Sequence, residues 1–291
     1  MKRKEAIKIM ATGALGAGFA SQGASLGSTE TSRQTGAMAG NINHSASRWC
    51  YGEIPLETLC DAGKKLGLTG IDLLKPSEID VVQKAGLVCS MVNPEDFSLT
   101  AGFNDPTLHA TLQQTYSDLI DVAASKRVTN LICFSGNRKG LSDEEGLVNC
   151  EAGLRQLVDK AQKKNIVLHM ELLNSKVDHE DYQCDRTEWG VELCNRLGSD
   201  NFKLLYDIYH MQIMEGDIIR TIQDYNQFFG HYHTGGVPGR NEIDETQELN
   251  YRTIMKAVVA TGFKGFVAQE FVPTAEDPIE SLSKAIQICD V

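Results

Sequence analysis

Residues 166–207 read IVLHMELLNSKVDHEDYQCDRTEWGVELCNRLGSDNFKLLYD, and this stretch decides the fold. It begins with a short apolar run, IVLHME, and ends with a second one, KLLYD; both have the length and composition of buried strands. Between them, residues 188–197 place apolar side chains at helical spacing. Two buried strands joined by a helix are typical of a βαβ unit, in which the strands run parallel.

The same alternation of strand and helix extends in both directions, from residue 41 to residue 291. Eight such units in these 251 residues, about 31 residues each, match the size of a (β/α)8 TIM barrel, an α/β fold. The competing fold, an open doubly wound sheet, usually carries a glycine-rich first turn, whereas the first strand here ends in Asn43-His44-Ser45. We predict a barrel with strands at residues 42–45, 70–74, 87–92, 130–134, 166–171, 203–207, 230–234 and 265–271, and helices at residues 56–66, 77–85, 106–124, 143–164, 188–197, 217–228, 251–261 and 278–289.

Ahead of the barrel, the chain has the layout of an export signal of the twin-arginine type. A basic start, MKRKEAIK, precedes a short, weakly apolar run at residues 9–20, and cleavage is expected after Ala20 or Ala24. The run is too short for stable membrane insertion. We predict a signal peptide over residues 1–24, a flexible linker over residues 25–40 and export to the periplasm. The alternative is a cytoplasmic protein with a disordered N-terminus.

Composition favours a protein that works on small molecules. The formal net charge of −11 and the isoelectric point near 5.1 oppose binding to nucleic acid or anionic lipid. The eight cysteines form no CxxC pair, which excludes zinc-ribbon and thioredoxin-like sites. We expect buried free thiols, with a Cys184–Cys194 disulfide left open. The expected partner is a small carbonyl or sugar substrate, and a homo-oligomer is an open alternative.

The last four predicted strands each carry an acid or a histidine near the C-terminal end, where a barrel places its active site. Glu171, Asp207, His233 and Glu270 lie at corresponding levels of neighbouring strands. Three carboxylates that converge on one point repel each other unless a cation lies among them. We therefore predict one divalent metal ion, with Mn²⁺ or Mg²⁺ favoured by the oxygen-rich ligands and Co²⁺ or Zn²⁺ as alternatives. The competing interpretation is that some of these acids are helix N-caps or solvated loop residues.

Two further histidines are predicted to lie one layer deeper in the barrel. Side chains two residues apart on a strand share a face, so His169 accompanies Glu171 and His231 accompanies His233. Both imidazoles could form hydrogen bonds to the metal ligands. Ordinary core histidines are the alternative.

Several polar residues follow the predicted strands and are candidates for binding a substrate. His210 comes three residues after Asp207, on a loop predicted to cover the site, and a Pro-Gly turn can direct Arg240 inward to hold a carboxylate. The alternative for Arg240 is a surface pair with Glu242 or Asp244. The further candidates are Glu242, Asn174 and, more weakly, Lys75 and Arg138, while Asp72 is either structural or functional.

Three motifs resemble those of the hydroxypyruvate isomerase family, within the xylose isomerase-like barrels. They are LYDIYHMQIMEGD at residues 205–217, VPGRNE at residues 237–242 and ELNY at residues 248–251. The resemblance extends over residues 41–291 and implies a divalent metal held by Glu171, Asp207, His233 and Glu270. It also implies that Glu171 and Glu270 transfer protons, with His210 and Arg240 at the substrate.

Some bacterial hydroxypyruvate isomerases carry Gln at the position of His233, and a histidine there is nearer to the ketose epimerase pattern. Those epimerases have a further Glu where Val177 stands. The substrate is therefore left open within the superfamily.

The activity that the resemblance implies is the interconversion of an α-hydroxy ketone and an aldehyde, with hydroxypyruvate and tartronate semialdehyde as the expected pair. In this mechanism one glutamate removes a proton, a metal-bound enediolate forms, and the other glutamate returns a proton. A hydride shift, as in related barrels, is the alternative chemistry. The alternative functions are an exported keto-sugar epimerase, isomerase or dehydratase, a nuclease of the endonuclease IV type and a non-catalytic carbohydrate-binding barrel.

Overall fold

The computed structural model of the protein describes residues 38–291. The predicted signal peptide, residues 1–24, and the predicted linker up to residue 37 lie outside the described residues. Eight strands occur in the described part: β1 (Asn43–Ser47), β2 (Gly70–Asp72), β3 (Val88–Cys89), β4 (Asn130–Cys133), β5 (Val167–Glu171), β6 (Phe202–Asp207), β7 (Phe229–Thr234) and β8 (Phe266–Gln269).

The eight strands are parallel and are arranged in the order β3-β2-β1-β8-β7-β6-β5-β4. The two ends of this sheet, β3 and β4, meet through Val92, which follows β3. The Val92 amide donates to the Asn130 carbonyl (3.0 Å), and the Val92 carbonyl accepts from the Ile132 amide (3.1 Å). These hydrogen bonds close the sheet, so the predicted TIM barrel is confirmed.

Helices connect the strands and cover the outside of the barrel. The described residues form nine α-helices: α1 (Leu56–Leu66), α2 (Ile79–Lys84), α3 (His109–Ser125), α4 (Asp143–Lys164), α5 (Thr187–Leu197), α6 (Ile208–Met214), α7 (Ile218–Tyr225), α8 (Tyr251–Ala260) and α9 (Pro278–Cys289). Short 3₁₀ helices occupy Arg48–Tyr51, Pro106–Leu108 and Asn226–Phe228.

Local sequence signals explain where the longest helix, α4, begins and ends. Ser142 and Glu145 form a reciprocal capping box: the Ser142 hydroxyl accepts from the Glu145 amide (3.2 Å), and the Glu145 carboxylate accepts from the Ser142 amide (2.8 Å). At the other end, Asn165 adopts the left-handed conformation (φ 56°) that terminates many helices. The predicted bounds of this helix, residues 143–164, are therefore confirmed.

Three segments differ from their predicted structure. The third strand, predicted over residues 87–92, pairs continuously only at Val88–Cys89 and again at Val92. The helix predicted over residues 217–228 changes to a 3₁₀ turn after Tyr225. The segment after β6, predicted as a loop, is helix α6.

The thiols are free, as the sequence predicts. All eight cysteines are free thiols and seven of them are buried, so Cys184 and Cys194 form no disulfide. Within residues 38–291, no helix combines the length and the apolar character needed to cross a membrane.

Candidate metal and active site

The four residues predicted as metal ligands converge at the C-terminal mouth of the barrel. Glu171 ends β5, Asp207 ends β6, His233 lies in β7 and Glu270 directly follows β8. One ligand atom from each side chain lies within 4.8 Å of the others, and all four residues are buried. We call this set the four-residue cluster. It brings together side chains that are up to 99 residues apart in the sequence.

Asp207 caps a helix in addition to belonging to the cluster. Its Oδ1 atom accepts hydrogen bonds from the amides of Tyr209 (2.8 Å) and His210 (3.3 Å), which makes it the N-cap of α6. His210 is therefore on a helix and fully buried, and its predicted position on a loop was wrong. The other carboxylate oxygen, Oδ2, stays directed toward the cluster.

His233 lies between the cluster and a deeper carboxylate, that of Asp72. On the cluster side, His233 Nδ1 is 2.5 Å from Glu270 Oε2 and 3.3 Å from Glu171 Oε1. On the other side, Nε2 is 2.9 Å from Asp72 Oδ2. An ionised carboxylate only accepts hydrogen bonds, so the proton on Nε2 is donated to Asp72 and the other ring nitrogen faces the cluster.

Asp72 is held in a fully buried polar network. Its Oδ1 atom accepts a hydrogen bond from the Ser90 hydroxyl (2.5 Å) and lies 3.1 Å from Nε2 of His231. Burial raises the pKa of Asp72, but the neighbouring His231 and His233 outweigh burial and leave this pKa below its ordinary value. Asp72 is therefore an ionised carboxylate that accepts the hydrogen bond from His233 Nε2. Carboxylates in this position are known to orient metal-binding histidines.

The two deeper histidines occupy different environments. His231 adjoins Asp72, whereas the His169 ring packs beside Gly230 and its Nε2 is 3.1 Å from Asn130 Oδ1. Among the described residues, neither imidazole forms a hydrogen bond to the four-residue cluster. The spacing of two residues along each strand predicted that both histidines lie deeper in the barrel. The side chain that contacts His233 from this deeper layer is Asp72.

The four-residue cluster fits a divalent cation. Among residues 38–291, His233 Nδ1 and Glu171 Oε1 are buried and have no hydrogen-bond partner with acceptable geometry. Three carboxylates and one imidazole form a donor set rich in oxygen, which suits Mn²⁺ or Mg²⁺. The cluster could therefore bind a metal ion, and His233 would hold it through Nδ1, because Nε2 is already engaged by Asp72.

Neighbouring charges separate the pKa values of the two glutamates. Burial raises the pKa of Glu171 above its ordinary value. Burial also acts on Glu270, but the charges of Arg240 and His233 outweigh it and hold the pKa of Glu270 well below its ordinary value. Burial raises the pKa of Asp207 to about 7. Carboxyl groups pushed in opposite directions within one site are typical of acid–base pairs.

Arg240 is directed into the site instead of pairing with surface acids. Its Nη2 atom is 3.0 Å from Asp207 Oδ2 and 2.6 Å from Glu270 Oε2. The guanidinium also lies over two aromatic rings, with its central carbon 5.4 Å from the Trp49 ring and 5.3 Å from the Tyr209 ring. These contacts leave Nη1 without a hydrogen bond in the described part of the chain, so this nitrogen could donate to a substrate oxygen.

Trp49 belongs to the site, and sequence reasoning missed it. Its indole Nε1 donates to Glu270 Oε1 (2.7 Å) from the 3₁₀ helix that follows β1. The signal in the sequence was its position just after the first strand, at the level where the other strands carry their polar residues. The 3₁₀ turn that brings the indole over the mouth has no distinctive sequence pattern.

The predicted substrate residues His210 and Asn174 are hydrogen-bonded to each other. The Asn174 amide nitrogen is 2.6 Å from His210 Nδ1, so Nδ1 is the acceptor and the proton lies on Nε2. That Nε2 is 3.5 Å from Asp207 Oδ2. Burial, with a further contribution from Arg240, holds the pKa of His210 well below its ordinary value. His210 is thus a neutral donor beside the cluster.

The remaining candidates lie outside the cluster. Glu242 binds the loop after β8 and the start of α9, because its carboxylate accepts hydrogen bonds from Thr274 and Ala275 of the loop and from Ser281 of the helix. Arg138 pairs with Asp143 and Asp185. Lys75 lies at the rim of the cavity described next.

A cavity of about 460 Å³ opens from the cluster toward solvent. Glu171, Glu270 and Arg240 form its floor, so a molecule in this space contacts the candidate acid–base pair directly. Apolar side chains form most of the wall. The residues concerned are Trp49, Leu73, Phe97, Leu99, Ile132, Phe134 and Leu173.

Comparison with known proteins agrees with this architecture. The profile of the family described as "Xylose isomerase-like TIM barrel" matches residues 61–288. The chain is 25% identical to the hydroxypyruvate isomerase of Escherichia coli K12 over 239 residues, which is 77% of this chain and 90% of that protein. It is 31% identical to the 2-oxo-tetronate isomerase of Cupriavidus necator over 115 residues, 40% of this chain and 44% of that protein.

The extent of these matches differs between relatives. With four of the curated relatives, the aligned segment spans about half of the relative's length. Among solved structures, an AP endonuclease of family 2 from Brucella melitensis superimposes with a TM-score of 0.74 at 23% identity, covering 83% of this chain and 97% of that chain. This structural likeness supports the fold.

Proposed function

The chain belongs to the xylose isomerase-like TIM barrel family, and from this premise we propose that it is a metal-dependent isomerase of α-hydroxy carbonyl compounds. One observation carries the proposal. The buried cluster of Glu171, Asp207, His233 and Glu270 forms the floor of a substrate-sized cavity, and two of its ligand atoms have no hydrogen-bond partner among the described residues. Hydroxypyruvate, named in the relative from E. coli, is the first candidate substrate.

In this proposal the four residues of the cluster hold one divalent ion, Mn²⁺ or Mg²⁺ by donor type. When bound, the ion would supply Lewis acidity, which lowers the pKa of the C–H between a hydroxyl and a carbonyl group. Asp72 fixes the ring of His233 so that Nδ1 stays directed at this position. The protein therefore provides a preorganised set of donors before the substrate arrives.

The two glutamates carry the proton in this mechanism. Glu270, whose pKa is held low, is the carboxylate that accepts the proton from the substrate carbon. Glu171, whose pKa is raised by burial, is suited to return a proton at the neighbouring carbon. The net change is a 1,2-shift of hydrogen through an enediolate, so the reaction needs no oxidant or reductant.

Positively charged and neutral donors stabilise the negative charge that develops on the substrate oxygens. The Arg240 guanidinium and the His210 Nε2 proton both lie beside the buried cluster. Donors that are already oriented stabilise an oxyanion without reorganisation. The hydrogen bond from Trp49 orients the Glu270 carboxylate.

Deuterium exchange provides the direct test. Protein loaded with Mg²⁺ is incubated in D₂O with hydroxypyruvate or a ketohexose, and proton NMR follows the carbon-bound hydrogens. The wild type should incorporate deuterium, and Glu171→Gln and Glu270→Gln should each slow incorporation by roughly 10²- to 10⁴-fold. Glu144→Gln, at an exposed position of α4, is the matched control and should leave the rate unchanged.

Two results would contradict the proposal. One is a Glu270→Gln variant with full exchange activity, because the proton would then have another acceptor. The other is native protein without a divalent ion by elemental analysis that nevertheless turns over at the full rate. About one ion per chain is the expected content.

A further inference from the structure

The cavity above the four-residue cluster has a polar floor and a mostly apolar wall. Six apolar residues belong to the wall on the side of strands β2 to β5: Leu73, Phe97, Leu99, Ile132, Phe134 and Leu173. We call them the apolar wall. Phe97 is 51% exposed, and its ring stacks on Phe134 with centroids 5.5 Å apart and planes inclined by 16°.

Three of the five polar side chains around the opening, those of Arg48, Glu78 and Asn93, are already hydrogen-bonded within the protein, whereas those of Lys75 and His179 have no hydrogen bond among the described residues. Arg48 donates to the carbonyls of Tyr51 (2.7 Å) and Ile54 (3.1 Å) and lies 3.4 Å from Glu78. Glu78 accepts from the amide of Lys75, and the Asn93 side chain donates to the carbonyl of Pro94. The rim therefore offers two free polar side chains, Lys75 and His179, beside an exposed aromatic ring, so a ligand with both polar groups and an apolar part matches it.

The size of the cavity also exceeds the needs of a three-carbon keto acid. Such a molecule has seven heavy atoms, which fill less than half of 460 Å³ even at the ~30 Å³ that a water molecule occupies in the liquid. The rest of the space lies against apolar side chains. Apolar protein surface that remains in contact with water in the complex contributes nothing to affinity. A substrate that fits this cavity would therefore carry a group that covers the apolar side chains.

We propose that the substrate is a sugar-sized α-hydroxy ketone that carries an apolar substituent, such as an alkyl or aryl aglycone. This inference rests on the proposed function and narrows its substrate class. The hydroxy ketone lies at Glu171 and Glu270, and the substituent lies against Phe97 and Phe134. The chemistry is unchanged: a carbon-bound proton leaves to one glutamate, another returns at the same or the neighbouring carbon, and the aglycone stays attached.

A matched pair of substrates tests this placement. The pair is a keto-hexoside with a phenyl aglycone and the same compound with a methyl aglycone, compared with the free ketohexose and hydroxypyruvate in the D₂O exchange assay. For the wild type, kcat/KM should be roughly 10- to 100-fold higher for the phenyl than for the methyl compound, the range expected for burying one ring. Hydroxypyruvate and the free ketohexose should be poorer than both glycosides.

Variants assign the preference to the apolar wall. Phe97→Ala should reduce the phenyl-over-methyl ratio to below about threefold, and Phe97→Leu should restore part of the ratio. Val148→Ala, at a half-exposed position of α4, is the control and should leave the ratio unchanged. Isothermal titration of both glycosides into the Glu171→Gln variant gives the same ratio from binding alone.

The failures of the two proposals are distinguishable. If hydroxypyruvate or the free ketohexose exchanges as fast as the phenyl glycoside, or if Phe97→Ala slows all compounds equally, the apolar substituent is refuted and the isomerase stands. If no compound exchanges or binds, the proposed function fails together with this inference.

Discussion

Asp72→Asn is the sharpest test of how the barrel interior supports the metal site. Asp72 accepts from His233 Nε2 through Oδ2 and from Ser90 through Oδ1, and His231 lies 3.1 Å away. An asparagine is neutral and has one acceptor oxygen in place of two, so it removes the negative charge that faces His233 and His231 and one of the two acceptors. The side chain keeps its volume, which limits the effect to hydrogen bonding and charge.

The size of the effect follows from the contacts. A hydrogen bond to a charged group contributes about 1.5–3 kcal/mol, and the loss of this bond frees the ring of His233 to turn or to change tautomer. Since 1.4 kcal/mol corresponds to a factor of ten, the Kd for Mn²⁺ should rise roughly 10- to 100-fold. Ser90→Ala removes only a neutral hydrogen bond to Asp72 and should weaken binding by about threefold.

The assay is competition for Mn²⁺ with a fluorescent chelator, combined with the absorption spectrum of the Co²⁺-loaded protein. The spectrum reports the ligand geometry independently of turnover, and circular dichroism verifies that each variant is folded. A folded Asp72→Asn protein with the Kd and Co²⁺ spectrum of the wild type would refute the reasoning. Asp72 would then be a core residue without influence on His233.

Four further predictions concern other parts of the molecule. Trp49→Phe should lower kcat by about tenfold with little change in KM, because it removes the hydrogen bond to Glu270 but keeps the ring. Trp189→Phe, whose indole donates to the backbone carbonyl of Asp143 and not to the cluster, is the control in the exchange assay. Glu242→Ala should lower the free energy of unfolding by about 1–2 kcal/mol at pH 7 and leave KM unchanged. Burial raises the pKa of Glu242, but hydrogen bonds from the loop after β8 outweigh burial and set this pKa at about 2, below the ordinary 4.5. The stabilisation by Glu242 is therefore complete above about pH 5 and is lost as the pH falls toward 2. Urea unfolding should give the same free energy for variant and wild type near pH 2, and a difference that stays constant with pH would contradict this prediction. Removing the metal with a chelator should lower the melting temperature by about 5–10 °C from its value at saturating Mn²⁺, as scanning calorimetry would show; an unchanged melting temperature would argue against a site for this ion. If residues 1–24 are an export signal, intact-mass measurement of protein from the periplasm of a bacterial host should show their removal, and uncleaved protein confined to the cytoplasm would contradict export.

The sequence predicted the fold because the barrel repeats one pattern. Each strand–helix unit buries an apolar strand under an amphipathic helix, so periodicity alone identifies eight units. The errors occur where local hydrogen bonds decide the conformation. Asp207 caps the segment after β6 and turns it into α6, an outcome that depends on one side chain and not on a repeating pattern. Strand β3 pairs over two residues only, which no composition signal marks.

The site was predictable to the extent that it depends on strand ends. Glu171, Asp207, His233 and Glu270 follow from the register of parallel strands, which brings their C-terminal ends to one mouth. Trp49 was missed because its indole reaches the site through a 3₁₀ turn that has no distinctive sequence pattern. The role of Asp72 was left undecided because its partners, Ser90 just after β3 and His233 on β7, are distant in sequence and no local pattern links them. Long-range side-chain pairing of this kind becomes visible only in three dimensions.

The mouth of the barrel is divided between two arcs of the sheet. The four-residue cluster comes from β5 to β8, which are neighbours, whereas the apolar wall comes mainly from the loops and ends of β2 to β4. Loops on the β2 to β4 arc could therefore be exchanged, lengthened or redesigned while the cluster is kept, provided that Asp72 and Ser90, through which this arc holds His233, stay in place. Under this condition the scaffold is modular: new specificities can be grafted onto one arc while the other keeps the proposed acid–base pair.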